Sequence, residues 1–371
     1  MKNIFLIINV LLLNILIVNT SFQSTIFAET NLDNKGKNLL LSPLSMFQVL
    51  GLTTNCALGT TQKEIISTLE TSSLENLNNI NLKLIEIIKK FTTVELANGV
   101  MTVFDPIKSF MKMCDKYEAP VEKLISLKQV NEWCSEKTHG KITEILDELS
   151  PATVMLLLNA VYFKGDWVSP FKPGLTYSGL FGDPKSKQKE VQMMTQVNTF
   201  NYYLDRSVEA IELPYKNDSM SALIILPYEG ADIDNFVNTL KINDDYINRI
   251  MEGMTETVVK LNFPKFEIEF KSKLKDVLIR LGMEKAFESD ADFSGINGEG
   301  GLFVNDVIHK TYLKVDEFGS EAAAITIVDM RNSAPIPKVT MDVNRPFILI
   351  LKSKLLPKNN DFLFMGKIED I

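Results

Sequence analysis

Between Val315 and Ala334 the chain reads VDEFGSEAAAITIVDMRNSA, a charged turn and a glycine followed by small and β-branched residues. Taken two by two from Ser320, one side carries Ser320, Ala322, Ala324, Thr326 and Val328. The other carries Glu321, Ala323, Ile325, Ile327 and Asp329. The first side holds only small or β-branched groups, which is what a strand face needs to enter a crowded core. The second begins and ends in a carboxylate and suits water. Exposed loops are richer in Gly, Pro, Asn and Asp, so this segment is strand-competent where a loop is expected. It is either an ordinary strand of a large sheet, turning at Asn332–Pro337, or a loop able to become a strand. Period alone does not separate the two.

The rest of the chain narrows the choice. At 371 residues, 45% hydrophobic and 23% charged, it can bury a large core. A net charge of −8 and a pI near 5.1 argue against general nucleic-acid binding, which needs a basic stripe. The lysines of Lys83–Lys90 read as the wet face of a helix. The only histidines, His139 and His309, stand far apart, and no G-x-S-x-G elbow, glycine-rich phosphate loop or H-E-x-x-H motif occurs. Hydrolase chemistry is therefore disfavoured, and neither a metal nor a cofactor is expected. A protein that acts by binding or by changing shape is left.

Met1–Val18 has the single lysine and the apolar run of a secretory leader, shorter than a membrane span. Cleavage is expected near Asn19–Ser21, with Ala28 the other small-residue candidate and an uncleaved anchor the competing reading. The expected division is a leader over 1–19 and one domain over 20–371, with no stable membrane insertion after cleavage. Cys56, Cys114 and Cys134 are odd in number and form no C-x-x-C pair, so buried structural thiols are expected, at least one unpaired within the chain. Asn217-Asp218-Ser219 is an acceptor for N-glycosylation in a turn-like stretch.

Along the chain, spacing predicts helices over Ser21–Thr30, Thr60–Leu69, Leu74–Phe91, Gln129–Leu149, Ile233–Met251 and Ser272–Phe287. Ser42 before Pro43 predicts a cap and first turn for another, running through Val49. Strands are predicted over Leu96–Phe104, Val154–Phe163 (apolar enough to be buried on both faces), Val191–Thr195, Thr199–Asp205, Val208–Leu213, Ser221–Leu226, Val258–Phe270, Phe303–Val315, Phe347–Lys352 and Phe362–Ile368. Helices dominate the first part and strands the rest, without repeats or a composition break. The class is α+β in one domain.

Several segments, in order, resemble one family. Leu41–Ser45, Val130–Trp133 with Thr138–Ile142, Asn159–Trp167 (NAVYFKGDW) followed by Phe171, and Glu212–Tyr215 resemble segments of the serpins. So do Met193-Met194, Leu261–Phe266 (LNFPKF), Leu281–Met283, Asp292–Ile296, Val343–Phe347 and Phe364–Lys367. Together they span about residues 22 to 368 in the family's order. The resemblance implies three β-sheets, eight or nine helices and an exposed reactive-centre loop. It also implies a monomeric serine protease inhibitor acting as a suicide substrate. The target protease cuts the loop and forms a covalent acyl-enzyme, and the loop then inserts into the central sheet. The alternative within the family is a non-inhibitory carrier, chaperone or surface-interaction protein. With the leader, the resemblance implies a secreted, extracellular glycoprotein that changes conformation.

Matching assigns residues residue by residue. The hinge is Glu317, Gly319, Ser320, Glu321, Ala322, Ala323 and Ala324, whose small face favours an inhibitor. Ser42, Ser45, Asn159 and His309 match the shutter, a buried polar cluster beneath the strands that must part, and Trp167 matches the breach, where insertion begins. Counting fourteen on from Gly319 places the scissile bond between Ser333 and Ala334. Arg331, followed by Asn332, is the alternative and would suit a trypsin-like protease.

Overall fold

The computed structural model describes residues 21–183, 188–217, 219–242, 245–320 and 336–371. The leader and the segment from Glu321 to Pro335 lie outside the described residues, and with them the four later hinge positions and both candidate scissile bonds.

Helix α1 (Phe22–Leu32) begins where the Ser21 hydroxyl accepts from the Ser24 amide, close to the expected start. Pro43 opens α2 (Pro43–Thr54) in its first turn, where a missing N–H costs nothing. The Ser42 hydroxyl makes no capping bond there, contrary to expectation. Helices α3 (Gly59–Thr68) and α4 (Leu74–Ile88) follow. In α4, Leu77, Asn81, Leu84 and Ile88 are buried at helical spacing, while Lys83 stays in water as its neighbours predicted. After α5 (Lys108–Lys116) comes α6 (Leu127–Lys137), twelve residues short of the predicted end at Leu149. His139 and Gly140 stop it by adopting positive φ, +51° and +77°. The predicted helix over Ile233–Met251 is two, α7 (Ile233–Ile242) and α8 (Asp245–Glu252). That over Ser272–Phe287 shrinks to α9 (Lys275–Arg280) and a single turn, and α10 (Ser294–Asn297) is the last described.

The first strands are β1 (Leu39–Leu41), β2 (Val94–Thr102), β3 (Val121–Lys123), β4 (Met155–Phe163) and β5 (Gly165–Asp166). Next come β6 (Tyr177–Phe181), β7 (Lys189–Leu204), β8 (Val208–Pro214), β9 (Met220–Pro227), β10 (Thr255–Pro264) and β11 (Phe266–Lys273). The chain closes with β12 (Ile308–Val315), β13 (Gly319–Ser320), β14 (Val339–Asp342), β15 (Phe347–Ser353) and β16 (Phe362–Ile368). Two predicted strands merge into β7. The single run predicted over Val258–Phe270 divides into β10 and β11 around Lys265, whose amide makes a last bond to β7, at the Gln192 carbonyl, before the chain passes over to pair with β12.

Nine strands form one sheet in the order β1-β16-β15-β9-β8-β7-β10-β14, with β6 added beside β7. Here β9, β15 and β16 are buried throughout. A second layer is in two parts, β3-β2-β4 and β11-β12. Strands β4 and β12 approach one another but share no ladder, so the layer is parted between them. Strand β4 is thereby only half-buried over much of its length, not buried on both faces as predicted. Helix α6 lies on β2 and β4, where Trp133, Val130 and Cys134 make a small separate core with Met101 and Leu158. All three cysteines are free and buried, as expected.

Candidate functional site

The site forms where β12 delivers the chain to the top of the parted layer. Alternation along β12 turns His309, Thr311, Leu313 and Val315 inward. Beyond Val315 the chain doubles back, with the Asp316 amide donating to the Gly319 carbonyl at 2.9 Å. The Trp167 amide donates to the Phe318 carbonyl at 2.9 Å and the Phe171 amide to the Glu317 carbonyl at 2.8 Å. The Trp167 indole Nε1 donates to the Asp316 carbonyl at 3.1 Å. The reversal is thus fastened to the Trp167 segment at three points.

After it, β13 runs antiparallel to β5, with Gly319 opposite Asp166 and Ser320 opposite Gly165. It also contacts β12, so Gly319 and Ser320 sit at the head of the gap that separates β4 from β12. The approach is so close that a Cβ at Gly319 would lie 1.9 Å from the Gly165 carbonyl oxygen. Only glycine fits there. Gly319→Ala is expected to unseat β13, read as faster hydrogen exchange at the Ser320 amide and a red-shifted Trp167 emission. Unchanged exchange and emission would show that the backbone gives way instead.

Ser320 is fully buried, and its hydroxyl lies 2.8 Å from the Tyr215 hydroxyl. The Tyr215 ring stacks on Trp167 with ring centres 4.3 Å apart and meets the edge of Phe163 at 5.0 Å. Burial raises the Tyr215 phenol well above its ordinary value, so it stays a neutral hydrogen-bonding group. Matching found Tyr215 only as part of a motif. Its bond to Ser320 joins residues 105 apart in sequence, and no local signal marks it.

Glu317 anchors the reversal. Its carboxylate takes a hydrogen bond from the Thr176 hydroxyl at 2.8 Å and lies 2.7 Å from the Lys265 ammonium. Burial opposes its ionisation, but the bonds from Lys265 and Thr176 outweigh burial and hold the carboxyl below its ordinary value. Lys265→Ala leaves a buried carboxylate with only neutral donors, the Thr176 hydroxyl and its own backbone amide. A loss of about 2 kcal/mol is expected, less than for a fully enclosed pair because the lysine is partly exposed. Thermal unfolding of Lys265→Ala beside Glu317→Gln checks it, since the second variant removes the charge and should lose less.

Lower in the gap, the structure brings Ser42 and His309 together but ties Asn159 elsewhere. The Ser42 amide donates to His309 Nε2 at 3.0 Å, which requires the imidazole proton on Nδ1. Burial, which disfavours the imidazolium, lowers the His309 pKa to about 4. Thr311 donates to the Leu40 carbonyl at 2.7 Å, so two inward groups of β12 bond to the segment leading into α2. The hydroxyls of Ser42 and Ser45 are buried and make no hydrogen bond among the described residues. Asn159 Nδ2 donates to Asn98 Oδ1 at 2.8 Å, directly across β4 and β2. Asn217 is exposed in the turn between β8 and β9. Among the described residues no group of side chains could hold a metal ion, and no helix is long and apolar enough to cross a membrane.

Comparison with known proteins agrees with this arrangement. The serpin (serine protease inhibitor) family model matches residues 18–371. "Intracellular coagulation inhibitor 2" of Tachypleus tridentatus is 31% identical over 360 residues, 91% of this chain and 87% of that protein. The native-state structure of the thermophilic serpin tengpin superposes with a TM-score of 0.82 at 28% identity, covering 94% of each chain. Thyroxine-binding globulin in complex with thyroxine superposes with a TM-score of 0.84 at 24% identity, covering 95% of this chain and 97% of that one. The chain belongs to the serpin (serine protease inhibitor) family.

Proposed function

We propose that this chain is a secreted inhibitor of serine endopeptidases that works once, as a suicide substrate. The observation that carries the reading is the seat of Gly319 and Ser320, two small residues already paired with β5 beside β4 and β12, which share no ladder among the described residues. The protease serine attacks the carbonyl carbon of Ser333, the amine of Ala334 departs with a proton, and an ester joins inhibitor and enzyme. The freed strand then extends from Ser320 into the gap, placing Ala322 and Ala324 on the face that must be small. Insertion carries the ester-linked protease away before water reaches the ester. In this reading the native fold is held from a more stable state by a barrier, as the handed-over strand pairing requires.

The leader supports export. Relatives do not decide that point, since the Tachypleus protein is named as intracellular. Asn217, exposed in its turn, is the proposed glycan acceptor. Expression in a secreting eukaryotic cell tests both: product in the medium, beginning near residue 20 and losing mass with an N-glycosidase.

Mixing the protein with a panel of trypsin-like and elastase-like proteases tests the inhibition. A complex that survives SDS, with mass spectrometry of the released peptide, gives the target class and chooses between Ser333–Ala334 and Arg331–Asn332. Cleavage by every enzyme without complex or gain in thermal stability would overturn the proposal and favour a carrier or chaperone.

A further inference from the structure

Where β7, β8, β9 and β10 come together, a cavity of about 370 Å³ opens on one face of the nine-stranded sheet. Phe200, Pro214, Tyr215 and Met220 supply its apolar lining. The polar floor is closed on itself. Glu212, 8% exposed, accepts from Asn201 Nδ2 at 2.9 Å and from the Ser221 hydroxyl at 2.7 Å, and the Lys352 ammonium lies 2.7 Å from it. Its charge is therefore already matched. In size and in composition, apolar walls with a few fixed polar groups, the cavity has the character of a small-molecule site.

The unmatched charges stand at the mouth. Glu256 and Lys354 both line the cavity and are exposed, and neither makes an ion pair or a side-chain hydrogen bond among the described residues. Strand register places them. Glu256 stands opposite Asn201 across β10 and β7, and Asn201 opposite Glu212 across β7 and β8, so the three share one face. Lys354 follows β15, and its amide donates to the Ser219 carbonyl at 3.3 Å on the β9 side of the cavity. Three strand spacings, about 14 Å, lie between β10 and β9. An acid and a base thus flank one apolar hollow without touching. An anion entering it would meet Lys354 but also Glu256, and a cation would meet the reverse. A guest carrying both charges matches both.

We infer that this cavity binds a small zwitterion with an apolar group, the chemistry of a free hydrophobic α-amino acid. The ammonium faces Glu256, the carboxylate faces Lys354, and the side chain lies against Phe200 and Met220. Burial of the apolar group supplies most of the affinity. The two charge pairs are exposed and therefore weak, and they supply the selectivity.

L-Phenylalanine is the probe, followed through the methyl resonance of Met220 in protein labelled at its methionine methyl groups. Met220 is 1% exposed and lines the cavity, and Met220→Leu identifies its signal. The full chain is first treated with an N-glycosidase, so that a glycan at Asn217, two residues from Ser219, does not cover the mouth. Added phenylalanine should shift the Met220 signal saturably and leave methyl groups remote from the cavity in place. N-acetylphenylalanine lacks the ammonium and phenylalaninamide lacks the carboxylate, and each should need about four-fold more to saturate, the scale of an exposed ion pair. Glu256→Gln should bind phenylalanine and its N-acetyl derivative alike, and Lys354→Gln should bind phenylalanine and its amide alike. Both residues are exposed, and an unchanged pattern of the other methyl signals establishes that the variants fold.

A Met220 signal that stays still in millimolar phenylalanine, or moves no more than remote methyl groups do, would overturn the site. Equal saturation by the three compounds would overturn the zwitterion. Variants that keep the parent's preferences would overturn the roles of Glu256 and Lys354. No protease enters these measurements, so the inhibitor reading stands or falls separately.

Discussion

Replacing Ser320 by glutamate is expected to leave a protein that its target protease still cuts but that no longer holds the protease. Ser320 is fully buried at the head of the gap and bonded to the Tyr215 hydroxyl. Around it stand Gly165, Trp167 and the Tyr215 ring, none of which offers a cation to a carboxylate. A charged group without a partner costs several kcal/mol to bury there; in the resting protein the glutamate escapes that cost by unseating β13, so the cost is met when the strand must enter through this position. Trapping is a race between insertion and hydrolysis of the ester. If ~3 kcal/mol appears in the insertion barrier, insertion slows by roughly two powers of ten, and nearly every turnover ends in cleaved inhibitor and free enzyme. The measurements are the molar ratio needed for complete inhibition and the yield of SDS-stable complex, with the cleavage rate as the control. Ser320→Thr, which keeps the hydroxyl, should inhibit nearly as the parent does. A glutamate variant with unchanged stoichiometry would mean that seating at Ser320 does not limit insertion.

The residues that make this prediction were legible in the sequence to different depths. An extended run over Phe303–Val315 could be read from composition, although β12 begins only at Ile308 and its inward alternation was not read; the small face after Gly319 stands in the sequence itself. The serpin segments fixed the places of Glu317, Ser320, His309 and Trp167. What those residues touch was not legible. The Ser320–Tyr215 bond and the Glu317–Lys265 pair each join distant segments, and nothing beside either residue encodes its partner. The helix predicted to run on to Leu149 stops at Lys137 because His139 and Gly140 both take left-handed conformations, and Gly140 with the polar residues around it was the signal for that turn. The stretch over Val258–Phe270 was read as one strand because apolar residues recur throughout it, but its inward positions slip from Val259, Leu261 and Phe263 to Phe266, Ile268 and Phe270 across Pro264-Lys265, where the chain changes partner from β7 to β12. Ser42 reads as a helix cap by its position before Pro43, yet its backbone amide serves His309 and its hydroxyl makes no cap.

Acidification is expected to weaken the fold through His309. Its pKa is about 4 in the folded protein against an ordinary 6.5, so the unfolded chain binds a proton on this residue at pH values where the folded one does not. Stability must then fall as pH drops from about 6.5 towards 4, and it is unaffected by this group above that window. At 1.36 kcal/mol per pH unit the loss is about 2 kcal/mol by pH 5 and about 3 kcal/mol by pH 4. The geometry says where it is felt. Protonating Nε2 turns the acceptor of the Ser42 amide into a second donor, so two N–H groups face each other at 3.0 Å in a buried place. That bond ties β12 to the segment entering α2, beside the border where the layer is already parted. Acid should therefore loosen β12 before it unfolds the nine-stranded sheet. Denaturant midpoints between pH 7 and pH 5, with hydrogen exchange of the β12 amides, measure both parts. His309→Gln keeps an acceptor for Ser42 and cannot titrate, so its midpoint should lose about 2 kcal/mol of that decline. The carboxylates paired at Lys265 and elsewhere titrate equally in both proteins, and the difference between them isolates the imidazole. Parallel declines in the two proteins would assign the acid sensitivity to those carboxylates and leave His309 a silent member of the core.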